Sequence, residues 1–351
     1  MVKVKSDTQS IKRGRSHSMN NLLGLARVSA LGVIALFASV VVVPAYGAND
    51  DLPPMELQRF GEHVYVVQGQ AGQASSANAG FISNAGAVAT GEGLVVFDTL
   101  GTPALGAKFR KLIEEASGEK VKLVVVSHYH ADHFYGIQSF VGPNVQVIAH
   151  PMAKNVFNDP NTHARLEQRR NDLFPWVNEE TRLVLAPRKA KVSAKQNESF
   201  SLGRYTFTLI DGLGAHAPDD LMMRVEELGL VFAGDLFFTG RVPFVGSAHP
   251  GLWLKALNRM AEKPPKVAIP GHGKISTEPQ TDLELTRRYL DHLWKVMTES
   301  VANLQSFDEA YAGADWSGFK KLPAFDAANR LNAYGAFLHA EREALAKEKS
   351  Q

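Results

Sequence analysis

The chain has 351 residues, enough for one large α/β domain with a sizeable buried core plus a tail. It contains no cysteine, which excludes disulfides, thiolate metal sites and a cysteine nucleophile. The formal charge of +2 is concentrated at the start, where residues 1–48 hold six Lys/Arg against one Asp. The remainder is therefore mildly acidic and has no electrostatic case for binding nucleic acid.

A basic lead (Lys12, Arg13, Arg15, Arg27) runs into an apolar stretch from Ala30 to Val43, followed by Pro44-Ala-Tyr-Gly-Ala. This is the order of a secretory signal peptide over residues 1–47, with the small residues Ala45 and Gly47 offset for cleavage after Gly47. The stretch is shorter than the ~20 residues a spanning helix needs. Export to the periplasm or the medium is expected, with no membrane contact after cleavage; an uncleaved amino-terminal anchor is the alternative. The long polar lead also points to Met19 as a possible true start.

After a Pro-containing junction at Asp51 to Pro54, short alternating runs (His63 to Val67, Ala79 to Ser83, Gly86 to Thr90, Leu94 to Asp98) read as hairpin strands. Pro103 to Glu115 then carries Leu105, Phe109, Leu112 and Ile113 at helical spacing. Val121 to Val126 is a buried strand, Val145 to His150 the next, and residues 151–178 read as helix and loop over the site. Phe200 to Ile210, Leu221 to Val225 and Gly229 to Ala233 form a second series of strands. From Thr281 a helical stripe (Leu285, Tyr289, His292 or Leu293, Val296) opens a tail expected to pack on the core. The predicted division is a domain over 48–280 and a helical extension over 281–351.

The densest chemistry follows the strand at Val121 to Val126. Ser127-His-Tyr-His-Ala-Asp-His-Phe-Tyr-Gly places His128, His130, Asp132 and His133 within six residues. Ionisable groups so crowded at a sheet edge are costly unless a cation compensates them, and neutral imidazole with carboxylate suits a divalent transition metal. A lone His-x-His would be weak evidence; the full His-x-His-x-Asp-His after a strand and before a Gly is strong. Asp98 in Gly93-Leu-Val-Val-Phe-Asp-Thr, His216 in Gly214-Ala-His-Ala-Pro-Asp-Asp-Leu, Asp235 in Leu230-Val-Phe-Ala-Gly-Asp and His272 in Ile269-Pro-Gly-His-Gly follow in order. Together these five motifs, over roughly Met55 to Gly273, resemble those of the metallo-β-lactamase superfamily of metallohydrolases.

That resemblance implies an α/β fold, a four-layer αββα sandwich with the site at one edge between two sheets, here with a helical carboxy-terminal tail. It also implies a ligand set. His128, His130 and His216 would bind a first metal, Asp132, His133 and His272 a second, and Asp235 would bridge the two. Two divalent ions, expected to be zinc, would supply hydroxide at neutral pH for attack on an acyl bond of a small-molecule substrate. Asp132 would orient that hydroxide, while Asp98 would support a ligand by hydrogen bonding.

Asp235 separates branches of the superfamily. Founding β-lactamases have Cys or Ser here, and the Cys type carries a substrate-gripping Lys three residues on, where this chain has Phe238. The carboxylate resembles hydroxyacylglutathione hydrolases and exported proteins associated with sulfur oxidation and quinoprotein systems. An ester, thioester or related acyl bond is therefore the expected substrate, with β-lactam hydrolysis and a mononuclear iron persulfide dioxygenase of the same fold as alternatives. Pocket walls are expected from Gln68 to Asn78 and Phe238 to Pro250. Tyr129, Phe134 and Tyr135 are candidates for pocket lining or for simple packing. His150, His163, His249 and His292 have no motif support and read as packing or surface histidines.

Overall fold

The computed structural model describes residues 51–349. The export segment, its cleavage after Gly47 and the possible start at Met19 lie outside the described residues. Two mixed sheets form the interior; their central strands are apolar because both faces are covered, whereas the edge strands over 57–60, 188–189 and 198–202 are partly exposed. The first has seven strands in chain order: β1 (Leu57–Phe60), β2 (Val64–Val67), β3 (Ala85–Ala89), β4 (Leu94–Phe97), β5 (Val121–Val125), β6 (Gln146–Ala149) and β7 (Arg188–Lys189). Pairing is antiparallel up to β4 and parallel from β4 to β7. The change falls where α1 (Pro103–Ser117) supplies the crossover that parallel neighbours require.

The second sheet runs β12 (Val267–His272), β11 (Leu230–Phe238), β10 (Leu221–Val225), β9 (Tyr205–Asp211), β8 (Glu198–Leu202). All its pairs are antiparallel except β11 with β12, which the helix α5 (Pro250–Glu262) connects. Three apolar cores identify the layers. Val66, Val95 and Phe97 of the first sheet meet Phe207, Met223 and Phe232 of the second in a central core. Phe109 and Ile113 of α1 cover the outer face of the first sheet, and Trp253 of α5 with Tyr289 and Leu293 covers the second. This is the four-layer α/β sandwich expected.

The remaining helices are α2 (Ala131–Phe134), α3 (Ala153–Phe157), α4 (Pro160–Asp172), α6 (Pro279–Ala302), α7 (Phe307–Gly313) and α8 (Phe325–Glu348). Three local expectations need correction. Ala79 to Ser83 is not a strand: Ala79 and Gly80 have φ of 51° and 74°, and the Asn78 side chain takes the amides of Ser75 and Gly80 into a tight turn. Phe200 to Ile210 is two strands, because Gly203 at φ 52° turns the chain between β8 and β9. On α6 the buried stripe is Leu283, Thr286, Tyr289, Leu290, Leu293 and Met297, while Leu285 and Val296 are half-buried; the helix is rotated about one residue from the predicted face.

Candidate metal centre

The site lies toward the carboxyl ends of β5, β9, β11 and β12, where side chains from loops and strand ends can converge. His128 follows β5 by three residues, His130 caps α2, and Asp132 and His133 lie in its single turn. His216 sits in the turn between β9 and β10, opened by Leu213 and Gly214 at φ 64° and 63°. Asp235 is inside β11 rather than at its end, which is longer than the predicted Gly229 to Ala233. A bulge at Gly234, φ 53°, interrupts pairing with β12 and re-aims the next side chain. His272 closes β12.

All seven predicted donors come together. His128, His130, His216 and Asp235 form one group and Asp132, His133 and His272 another, with donor atoms in each within 4.8 Å of one another. The Asp235 carboxylate faces both: Oδ1 lies 3.1 Å from His133 Nε2 and 3.3 Å from His272 Nε2, and Oδ2 lies 3.4 Å from His216 Nε2. Asp132 Oδ2 is 3.4 Å from His133 Nε2 and 3.2 Å from His272 Nε2. His216 Nε2 is 3.1 Å from His130 Nδ1.

These separations fit metal ions. Donors at 2.0–2.1 Å around a tetrahedral ion stand about 3.3 Å apart. Buried atoms without a hydrogen-bond partner concentrate here as well, at His128 Nε2, His133 Nε2, His216 Nδ1 and Asp235 Oδ1. Orphaned polar atoms cost folding free energy unless something else satisfies them.

Behind the donors a polar layer sets the tautomers. Asp98, at φ 63°, turns its carboxylate back onto the site. Its Oδ1 accepts from Ser127 N at 2.7 Å, and its Oδ2 from Ser127 Oγ at 2.8 Å and His133 Nδ1 at 2.9 Å. With its only proton given to Asp98, Ser127 Oγ accepts from His128 Nδ1 at 2.9 Å. His272 Nδ1 donates to Ile82 O at 2.7 Å. All three rings therefore turn Nε2 toward the centre.

Electrostatics divide the two groups. Burial lowers His128 far below the ordinary imidazole range and His216 to about 3, so both stay neutral with a lone pair to share. Burial also opposes the imidazolium of His133 and His272, but Asp235 and Asp132 outweigh it, lifting His133 strongly and His272 to about 9. Burial would raise Asp235 and Asp132, yet the neighbouring imidazoles hold both carboxylates low. His130 is exposed and Asp132 part-exposed, so the centre has a side open to solvent.

Several contributors carry no motif of their own. Asp220 accepts the amides of His216 and Ala217 at 2.7 and 2.8 Å and fixes the turn; Asp219 accepts Tyr129 N at 3.1 Å and ties that turn to the His128 loop. Asn84 donates to Pro270 O and Gly273 O, both at 2.9 Å, and locates the His272 turn. Both aspartates stand inside the His216 motif, so their presence was visible although their partners were not. Tyr129, Phe134 and Tyr135 are buried in the outer core. His150 is buried with Nε2 3.6 Å from Asp211 Oδ1, and His249 caps α5, in keeping with structural roles.

An αββα sandwich with a two-part His/Asp cluster at one sheet edge defines a metallo-β-lactamase-type protein. The family model described as Metallo-beta-lactamase superfamily matches residues 78–272, more than half of the chain, and the chain belongs to that superfamily. Solved structures similar to it include a metallo-beta-lactamase from Pontibacter korlensis (18% identity, TM-score 0.51, covering 68% of this chain and 99% of that one). Another is the metallo-beta-lactamase FIM-1 from Pseudomonas aeruginosa in a mono-zinc form (17%, 0.54, covering 70% and 98%). The sec-alkylsulfatase Pisa1 from Pseudomonas sp. aligns over more of this chain (18%, 0.59, covering 81% and 50%), which spans half of that enzyme. At these identities the likeness is one of fold. No curated protein matches the sequence.

Proposed function

We propose that the protein is an exported dinuclear metal-dependent hydrolase, with zinc as the metal and an ester, thioester or related acyl bond as its target. The observation that carries this reading is the division of the Asp235 carboxylate, one oxygen toward His133 and His272 and the other toward His216. His128, His130 and His216 would hold one ion and Asp132, His133 and His272 the other, with Asp235 shared. Bound there, divalent cations acidify water toward neutral pH and polarise an acyl oxygen. A donor set of neutral imidazoles and carboxylates without thiolate suits zinc.

The chain's own residues do the rest. Asp98 and Ser127 keep the protons of His128 and His133 on Nδ1. Asp132 is the more exposed of the clustered carboxylates, with 19% of its side chain accessible against 7% for Asp235, and is placed to accept a hydrogen bond from, and so orient, water entering the open side. That open side argues against a purely structural metal, and the complete second group argues for hydrolysis over an iron dioxygenase. β-Lactam hydrolysis stays as the second reading because of Arg241: its guanidinium lies 5.8 Å from the Phe238 ring, feels the carboxylates of Asp235 and Asp132, and has no carboxylate partner among the described residues. It supplies a cation for a substrate anion close to where the missing Lys would stand.

The test is a panel of thioester, ester and chromogenic cephalosporin with wild type, Asp235→Ala and His133→Ala. Both variants are expected to approach one metal per chain and to lose more activity than the ~10- to 100-fold that removing a supporting partner costs. Unchanged metal content and turnover in both would refute the dinuclear reading.

A further inference from the structure

Residues 239–249 run without regular secondary structure from the end of β11 to the start of α5, along the metal centre. The segment begins beside Phe238, whose ring stacks on His272 at 5.3 Å and 8°, and carries Arg241 over that ring. It ends at His249, whose amide donates to Ala215 O, the neighbour of His216. Its shape is imposed from the carboxy-terminal helix. Asn332 of α8 is fully buried, and its Oδ1 accepts the amides of Val245 at 2.8 Å and Gly246 at 3.1 Å. Its Nδ2 donates to Pro243 O and to Tyr289 Oη, both at 2.8 Å, so the side-chain amide is saturated.

Three more attachments fall on the same stretch. Val242 N donates to Pro323 O at 3.1 Å, and His339 Nε2 donates to Ser247 O at 2.9 Å. Gly335 lets α8 approach so closely that a Cβ there would stand 1.8 Å from Gly246 O. Apolar docking of a helix needs none of this: a side-chain amide reading three backbone groups of one irregular turn fixes a loop.

We propose that Asn332 is a positioning residue for substrate binding: it sets the Arg241 to Ser247 wall of the metal centre, which makes α8 part of the substrate site. The proposal rests on the hydrolase reading only in taking the cluster as the place where a ligand is held. Asn329 gives the comparison, since it belongs to the same buried network through Tyr289 Oη at 2.8 Å and Tyr311 Oη at 3.2 Å but does not touch the segment.

The experiment measures succinate affinity of the zinc-loaded protein by calorimetry, with zinc content and amide exchange at Val245 and Gly246, for wild type, Asn332→Ala and Asn329→Ala. Asn332→Ala is expected to weaken succinate about tenfold, short of the roughly hundredfold cost of misplacing a reacting group by about 1 Å, and to expose both amides with zinc unchanged. Asn329→Ala should lose stability with affinity intact. Succinate binding needs no turnover, so a protein without acyl hydrolase activity still tests the proposal. Should Asn332→Ala fail to fold, His339→Ala removes the bond to Ser247 and the ring contact with His249, both on this segment, and is expected to weaken succinate by about two- to threefold. No measurable binding by wild type, or no loss of affinity in the folded variant relative to Asn329→Ala, would overturn it.

Discussion

Asp98 accepts the Nδ1–H of His133 directly and that of His128 through Ser127, so one carboxylate orients a donor in each group. Asp219 has a different part: burial raises it to about 7 from 3.8, with one oxygen on Tyr129 N and the other unpaired. Between those values the folded chain keeps a proton that the unfolded chain has lost, so its contribution favours folding below about pH 4 and is lost as pH rises through 7. Asp219→Asn keeps an acceptor for Tyr129 N and removes the titration. Urea unfolding should show the variant gaining about 1–3 kcal/mol on wild type between pH 5 and pH 8; an equal difference at both pH values would contradict the assignment. At this scale the sequence was most legible for the donors, because imidazoles packed into six residues have few bland explanations. Partners such as Asp219 with Tyr129 and Asn84 with Pro270 were not, since they join residues that only the fold brings together.

The ligand turn is held by backbone laid on backbone. Gly136 N donates to Leu100 O at 2.9 Å and Thr99 N to His133 O at 2.8 Å, and a Cβ on Gly136 would stand 1.8 Å from Thr99 O and 3.0 Å from Gly106 Cα. No flexible side chain is there to yield. Gly136→Ala should therefore destabilise by at least about 1–3 kcal/mol and displace His133, lowering the metal bound per chain. A variant with wild-type unfolding midpoint and metal content would show that this contact is not what seats the turn. Gly271 is similarly constrained, its absent Cβ leaving room for Asp235 Oδ1. Strands and helices with strong apolar periodicity, such as β5, β10 and α1, were readable from sequence. The extra length of β11 was not, because a bulge is a property of pairing with β12; nor was the turn at Ala79 and Gly80, where an apolar run conceals left-handed backbone.

Across the described residues, three cores stack two sheets between two helical layers and leave one edge for chemistry. Alternating strand series were visible in the sequence, but their stacking came from the family resemblance, and the hold of α8 on the site wall came from neither. Among the described residues no helix is long and apolar enough to cross a membrane. The central claim is the proposal that the edge holds two divalent cations, with the Asp235 carboxylate divided between two groups of donors. Elemental analysis of the protein purified without added metal, with Asp235→Ala in parallel, tests it most directly. Two equivalents of zinc per wild-type chain, falling toward one in the variant, is the result predicted; a wild type holding one equivalent or none, or a variant that keeps two, would contradict it.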